Sequence, residues 1–352
     1  MNGVSGLMAT KLPLRFAAAF AASLALLSAP VSASAEDNQT QELHSSFDSV
    51  LGTELRSPQS FETVYSTDFE RQVAQLAEGS KGRIGVYAID LSSGREVGVM
   101  ADQRFPMAST SKVAIAATYL AGVDAGKWSL SSEWRLPRPG GSYMSADQHL
   151  RLMIAKSCNP CTDALLNAVG GPRAVNDFMR SAGIADFQLS RDIATLVRED
   201  GQVDPAWSVD VRDSATPRAM GQLLAGIYQG KWLSASSRSV LMNAMRATTT
   251  GDKRMRSAVP LSANLAHKTG TLSRTASDIG FFHTPDGRPV AVAIYVTGQS
   301  PSMAAENGNR GVKLEARQLR DARISTITGA LYRGFSNLRT DARNTLEAKY
   351  GN

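Results

Sequence analysis

The chain has 352 residues, 43% hydrophobic and 20% charged, enough apolar content to bury a large core, which excludes a disordered or low-complexity polymer. Its formal charge of +6 is spread along the sequence with no long run of like charge, so a nucleic-acid partner is not implied. With two cysteines, Cys158 and Cys161, no disulfide framework holds the fold together.

Residues 1–35 carry Lys11 and Arg15, an apolar stretch from Phe16 to Leu27, and Ala33-Ser34-Ala35 before acidic Glu36 and Asp37. The stretch is shorter than the roughly 20 residues that cross a bilayer, and a small-x-small site follows it, the pattern of a secretory signal peptide. Cleavage after Ala35 is expected. The product is then exported, to a periplasm or fully secreted, without stable membrane insertion. Residues 36–66 are polar, as a flexible leader would be.

From Asp68, the spacing of Phe69, Val73 and Leu76 predicts a helix. Arg83 to Asp90, a Ser92-Ser93-Gly94 turn and Arg95 to Met100 then predict a hairpin. Between Lys112 and Leu241 apolar residues recur at helical intervals, broken at Pro137 to Ser142, Gly170 to Pro172 and Gly201 to Pro205. Strand signals return after Lys268, in Ile279 to His283 and Val290 to Val296 around a Pro285-Asp286-Gly287 turn. A last helix, about Glu315 to Arg333, precedes a polar tail. Strands at both ends around helices imply one sheet built from both ends of the chain.

In FPMASTSK, Ser109 and Lys112 stand at i and i+3, on one face at the start of an apolar helical run. A serine hydroxyl needs a base within reach, and a lysine kept partly neutral can serve. The N–H groups of the helix start can stabilise an oxyanion. Alone, a capping serine and a solvated lysine would look the same. Here two further clusters follow in order, Ser157-Cys158-Asn159 and Lys268-Thr269-Gly270.

Together these clusters resemble the SxxK, SxN and KTG set of the penicillin-recognising active-site-serine enzymes. GRIGVYAIDLSSGREVG, MSADQHLRLMIAKSCN, Gly170-Gly171-Pro172, RDSATPRAM and PDGRPVAVAIYVTG extend the resemblance to class A β-lactamases, over about residues 68–335. It implies an α/β (α+β) fold in residues 67–352, an antiparallel sheet flanked by helices plus an all-helical subdomain. The helical part covers about 113–245, the α/β part 67–112 and 246–335. It implies a serine hydrolase that opens the β-lactam amide through a seryl acyl-enzyme, with no cofactor and no metal. The partner is a small molecule, a β-lactam or a peptidoglycan-like peptide, and a monomer is expected. The rival readings, a penicillin-binding D,D-peptidase or amidase and an acylation-only sensor, share every acylation residue.

By this resemblance Ser109 is the nucleophile, Lys112 its proton acceptor, and Ser157 the relay to the leaving nitrogen. Lys268, Thr269 and Thr271 would receive the substrate carboxylate beside Gly270, and Asn159 its amide side chain. The backbone N–H groups of Ser109 and Thr271 would form the oxyanion hole. Class A enzymes also use a loop glutamate to activate the deacylating water, and here two registers compete. Counting forward from Gly170-Gly171-Pro172 puts Arg191 on the loop arginine and Ile193 on the glutamate. Counting back from Arg212-Asp213 puts Arg198 and Asp200 there, and Asp200 is the candidate base, one methylene short.

Cys158-Asn159-Pro160-Cys161 reads as CxxC at a helix start, but no thioredoxin-like βαβ setting surrounds it, so a structural pair, reduced or bridged, is expected. Four scattered histidines show no zinc spacing, and His267 is expected as a partly buried strand histidine. Trp128, Trp134 and Tyr143 lie near a cleft wall that looks shortened, with core packing as their expected job.

Overall fold

The computed structural model describes residues 68–78 and 81–350, with side chains through Asn337. The expected signal peptide and the leader lie outside the described residues. α1 (Asp68–Ala77) leads into the hairpin β1 (Ile84–Asp90) and β2 (Glu96–Val99). The chain returns to the same sheet only in β8 (Ala266–Leu272), β9 (Thr275–His283) and β10 (Pro289–Thr297). The order is β2-β1-β10-β9-β8, every neighbouring pair antiparallel.

The sheet is covered on both faces, and the period of two along β10 divides its residues between them. Val290, Val292, Ile294 and Val296 pack with Ile84, Val86 and Ala88 against Ile324, Ile327, Leu331 and Phe335 of the last helix, α11 (Arg310–Tyr350). Their spacing of three and four is one stripe of that helix. Ala291, Ala293 and Tyr295 face the other way, onto the helical core. The polar tail expected beyond Arg333 instead continues α11 to Tyr350.

Between the two parts of the sheet run α2 (Ser111–Asp124), α3 (Ala146–Ala155), α4 (Asn159–Val169), α5 (Pro172–Ser181), α6 (Ile193–Arg198), α7 (Pro217–Gln229) and α8 (Ala235–Arg246). Their ends follow local chemistry. A Ser145–Gln148 capping box opens α3, Gly170 closes α4 at φ +101°, and Thr216 with Pro217 opens α7. Short strands, among them β6 (Phe187–Leu189) and β7 (Asp213–Ala215), carry too few residues to register as alternation.

α2 is central. Ten of its residues, Lys112 among them, are buried, so the helix is apolar all round rather than striped. Trp128 stacks on its Tyr119, and the Trp134 indole N–H donates to the Tyr119 hydroxyl at 2.9 Å, while Tyr143 is exposed. Among the described residues no helix is long and apolar enough to cross a membrane.

Candidate active site

Ser109 lies in a 3-10 turn, Ala108–Thr110, that runs directly into α2. Ala108 holds φ +50°, a rare conformation for a residue with a Cβ, and its surroundings impose it. The Thr110 hydroxyl bonds the Met107 carbonyl at 2.7 Å and lies 3.0 Å from the Tyr295 hydroxyl. The Ser111 hydroxyl donates to the Ala108 carbonyl at 2.9 Å. Partly exposed Ser109 thus projects from a turn fixed on both sides.

Lys112, one turn on, is fully buried and reaches the second cluster. Its Nζ donates to the Ser157 carbonyl at 2.8 Å and Asn159 Oδ1 at 2.7 Å, with Ser157 Oγ at 3.2 Å. The third cluster meets the same hydroxyl: Lys268 Nζ is 3.1 Å from Ser157 Oγ and donates to the Thr269 carbonyl at 2.8 Å. Ser157 sits at φ +57°, which aims its side chain between the two amines.

Two lysines on one hydroxyl, both withdrawn from water, cannot both keep an ordinary affinity for protons. Burial above all, then the charge of Lys268, lowers Lys112 to about 6, against a smaller opposing pull from Asp163. Burial lowers Lys268 to about 7, with Asp278 opposing and Arg254 adding to the effect.

Gly270 lets the third cluster approach the first. A Cβ there would stand 2.8 Å from the Met107 carbonyl oxygen, so only glycine lets β8 lie against the turn that carries Ser109. Thr269 shares a 2.6 Å hydrogen bond with the Thr250 hydroxyl, and Thr271 is exposed.

Arg254 escaped the sequence reading. Buried behind β8, it donates to the Gly270 and Ser277 carbonyls at 2.8 and 3.0 Å and to the Thr271 hydroxyl at 2.8 Å, and pairs with Asp321 at 2.6 Å. In sequence it is one basic residue in Lys253-Arg254-Met255-Arg256, and nothing there separates it from its neighbours. His267 is fully buried with Nδ1 on Asp278 at 2.9 Å, more deeply set than expected and turned to the strand behind the site.

The loop before β7 follows the forward count. Arg191 pairs with Glu199 at 2.8 Å, Asp210 at 2.9 Å and Asp213, closing the loop on itself. The buried Asp163 carboxylate of α4 accepts the N–H groups of Ile193 at 2.8 Å and Ala194 at 3.1 Å, pinning Ile193 at the start of α6. Arg198, by contrast, donates to the Thr195 hydroxyl of its own helix. Asp200, the candidate base, accepts the Ser273 N–H at 2.8 and 3.0 Å in the β8–β9 turn. No hydrogen bond brings it to Lys112 or Ser157. Its carboxylate holds a turn, as an aspartate short of the amines would. Among the described residues no group of three or more His, Cys, Asp or Glu converges as a metal site.

A model of the beta-lactamase enzyme family matches residues 68–332. Beta-lactamase SME-1 of Serratia marcescens is 31% identical over 245 residues, 65% of this chain and 81% of that protein. Beta-lactamase CTX-M-4 of Salmonella typhimurium is 31% identical over 68% of this chain and 83% of its own length. Among solved structures, an ancestral (GNCA) class A beta-lactamase superposes with a TM-score of 0.66 at 31% identity, over 76% of this chain and 99% of that one. A beta-lactamase from Chitinophaga pinensis gives 0.65 at 27% identity, with 76% and 99% covered. Matched along its whole catalytic segment, the chain belongs to the class A serine β-lactamase family.

Proposed function

We propose that the chain hydrolyses the amide of β-lactams through an acyl-enzyme on Ser109. The observation that carries this reading is the Lys112–Ser157–Lys268 chain of contacts, with Lys112 lowered to about 6. At neutral pH Lys112 is then mostly an amine, able to take the Ser109 proton as Oγ attacks the lactam carbonyl. The bond from Ser109 Oγ to that carbon forms and the carbon–nitrogen bond breaks. The proton passes from Lys112 through the Ser157 hydroxyl to the leaving nitrogen. The N–H groups of Ser109 and Thr271 receive the oxyanion, each such donor being worth about 3 to 4 kcal/mol in the transition state. Lys268, Thr269 and Thr271, the last oriented by Arg254, take the substrate carboxylate, and Asn159 its amide.

Release of the acyl group is the slower half. Ile193 stands where the forward count places the water-activating glutamate, and its side chain takes no proton. Lys112, freed by the first proton transfer, is the base left for the incoming water. Export through the segment ahead of Glu36 is part of the proposal, supported by its charge, apolar length and small-residue site.

The test is a time course of intact mass and lactam absorbance with a penicillin. Wild type should gain one acyl group and lose it over repeated turnovers, and Ser109→Ala should gain none. Neither adduct nor turnover on wild type would overturn the reading.

A further inference from the structure

Cys158 stands between Ser157 and Asn159, the two residues that Lys112 contacts, and it is joined to Cys161 by a disulfide. The small ring encloses Asn159 and Pro160 on the first turn of α4. Its anchorage is dense. Cys158 Sγ accepts the Cys161 N–H at 3.2 Å, and the Cys158 carbonyl accepts the Thr162 hydroxyl at 2.8 Å. Immediately upstream, Ser157 is held at φ +57°, a conformation that residues with a Cβ keep only where the structure enforces it. Cross-linking so short a segment removes little chain entropy from the unfolded state, so the bond acts locally more than on global stability.

We propose that the Cys158–Cys161 disulfide is a positioning element for acylation: it fixes the Ser157–Asn159 turn, so that Ser157 Oγ stays between the two lysine amines and Asn159 Oδ1 stays on Lys112. The role rests on the acylation of Ser109 proposed above.

Cys161 is buried and Cys158 only partly so, and an external dithiol therefore meets the bond at Cys158. The reagent's thiolate attacks Cys158 Sγ and Cys161 leaves as a thiolate that takes a proton. The reagent's second thiol then closes its own disulfide and releases the Cys158 thiol, two electrons and two protons having passed to the protein. Without the ring the turn can relax its positive φ, Ser157 withdraws, and water enters beside Lys112. Lys112 faces the cation of Lys268 on β8, the carboxylate of Asp163 on α4, and the neutral Ser157 and Asn159. Burial is the largest force holding its proton affinity down, so hydration moves the acid limb of acylation to higher pH.

The experiment compares oxidised wild type, wild type reduced with dithiothreitol, and a Cys158→Ser/Cys161→Ala double variant, in which serine keeps a good helix cap without the cross-link. The initial rate of Ser109 acylation by benzylpenicillin is read by intact mass across pH, with circular dichroism alongside. The reduced and double-variant proteins should stay folded, acylate roughly 10- to 100-fold more slowly, and show an acid limb displaced to higher pH. Unchanged rates and limb would remove the positioning role while leaving the acyl-enzyme standing. A loss that tracks the unfolded fraction, with a normal limb in what remains folded, would make the bond a general staple and overturn the proposal equally. No adduct on oxidised wild type would overturn the acylation reading and this role with it.

Discussion

The acylation rate should titrate on Lys112. At a pKa of about 6, roughly nine-tenths of this side chain is neutral at pH 7; at the ordinary 10.5, about one part in 3,000 would be. The difference corresponds to about 6 kcal/mol of selective penalty on the ammonium form, supplied first by burial and then by Lys268. The neutral amine is the competent base, so the rate falls with falling pH, about tenfold between pH 7 and pH 5. On the alkaline side Lys268, at about 7, loses the charge that draws the substrate carboxylate, and KM rises. Because both amines meet the Ser157 hydroxyl, the two limbs belong to the pair. Lys268→Gln removes the neighbouring positive charge, raises the Lys112 pKa and moves the acid limb to higher pH. Lys112→Arg keeps a charge but supplies no base, and should slow acylation by roughly 100- to 10,000-fold. Quenched-flow mass spectrometry of the Ser109 adduct with a penicillin measures each rate. A rate that stays flat from pH 7 to 5, or a Lys268→Gln limb displaced to lower pH, would refute the reasoning.

Ile193→Glu places a carboxylate at the start of α6, where the helix dipole favours it, and should shorten the lifetime of the Ser109 adduct at a cost in Tm; an adduct that persists as in wild type would mean that position 193 does not reach the acyl carbonyl. Arg191→Ala removes the guanidinium from buried Asp213, which keeps the N–H groups of residues 190 and 191, while Glu199 and Asp210 keep Arg212; the expected loss is about 3 kcal/mol by urea unfolding, and a loss below about 1 kcal/mol would show that the loop is held elsewhere. Gly270→Ala sets a methyl against the Met107 carbonyl, displaces the turn bearing Ser109, and should depress acylation at least tenfold; wild-type rates in that variant would show that β8 can draw back at no cost.

What could be read in the sequence was what local spacing decides. The i and i+3 spacing of Ser109 and Lys112 marks the 3-10 turn that runs into α2, and the β-branched residues of Val290 to Val296 form the strand they imply. The meeting of three distant clusters on one hydroxyl rested on family resemblance, because no period links Ser157 to Lys268. Arg254 stayed hidden for a related reason: its partners are carbonyls on β8 and β9 and a carboxylate on α11, all chosen by packing. The loop from Ser190 to Asp213 is the sharpest case. Two gapless counts disagree there, and only the Leu189-Ser190-Arg191 match upstream favours the forward one, since Arg191 and Arg198 are chemically the same residue. Long-range carboxylates separate them. Asp213 and Asp210 take Arg191, and Asp163 of α4 takes the N–H groups that open α6, so the register is set by three acids outside the helix they fix. Asp200 is then left at the far end of α6, beyond Arg198, where its carboxylate accepts the Ser273 N–H of the β8–β9 turn.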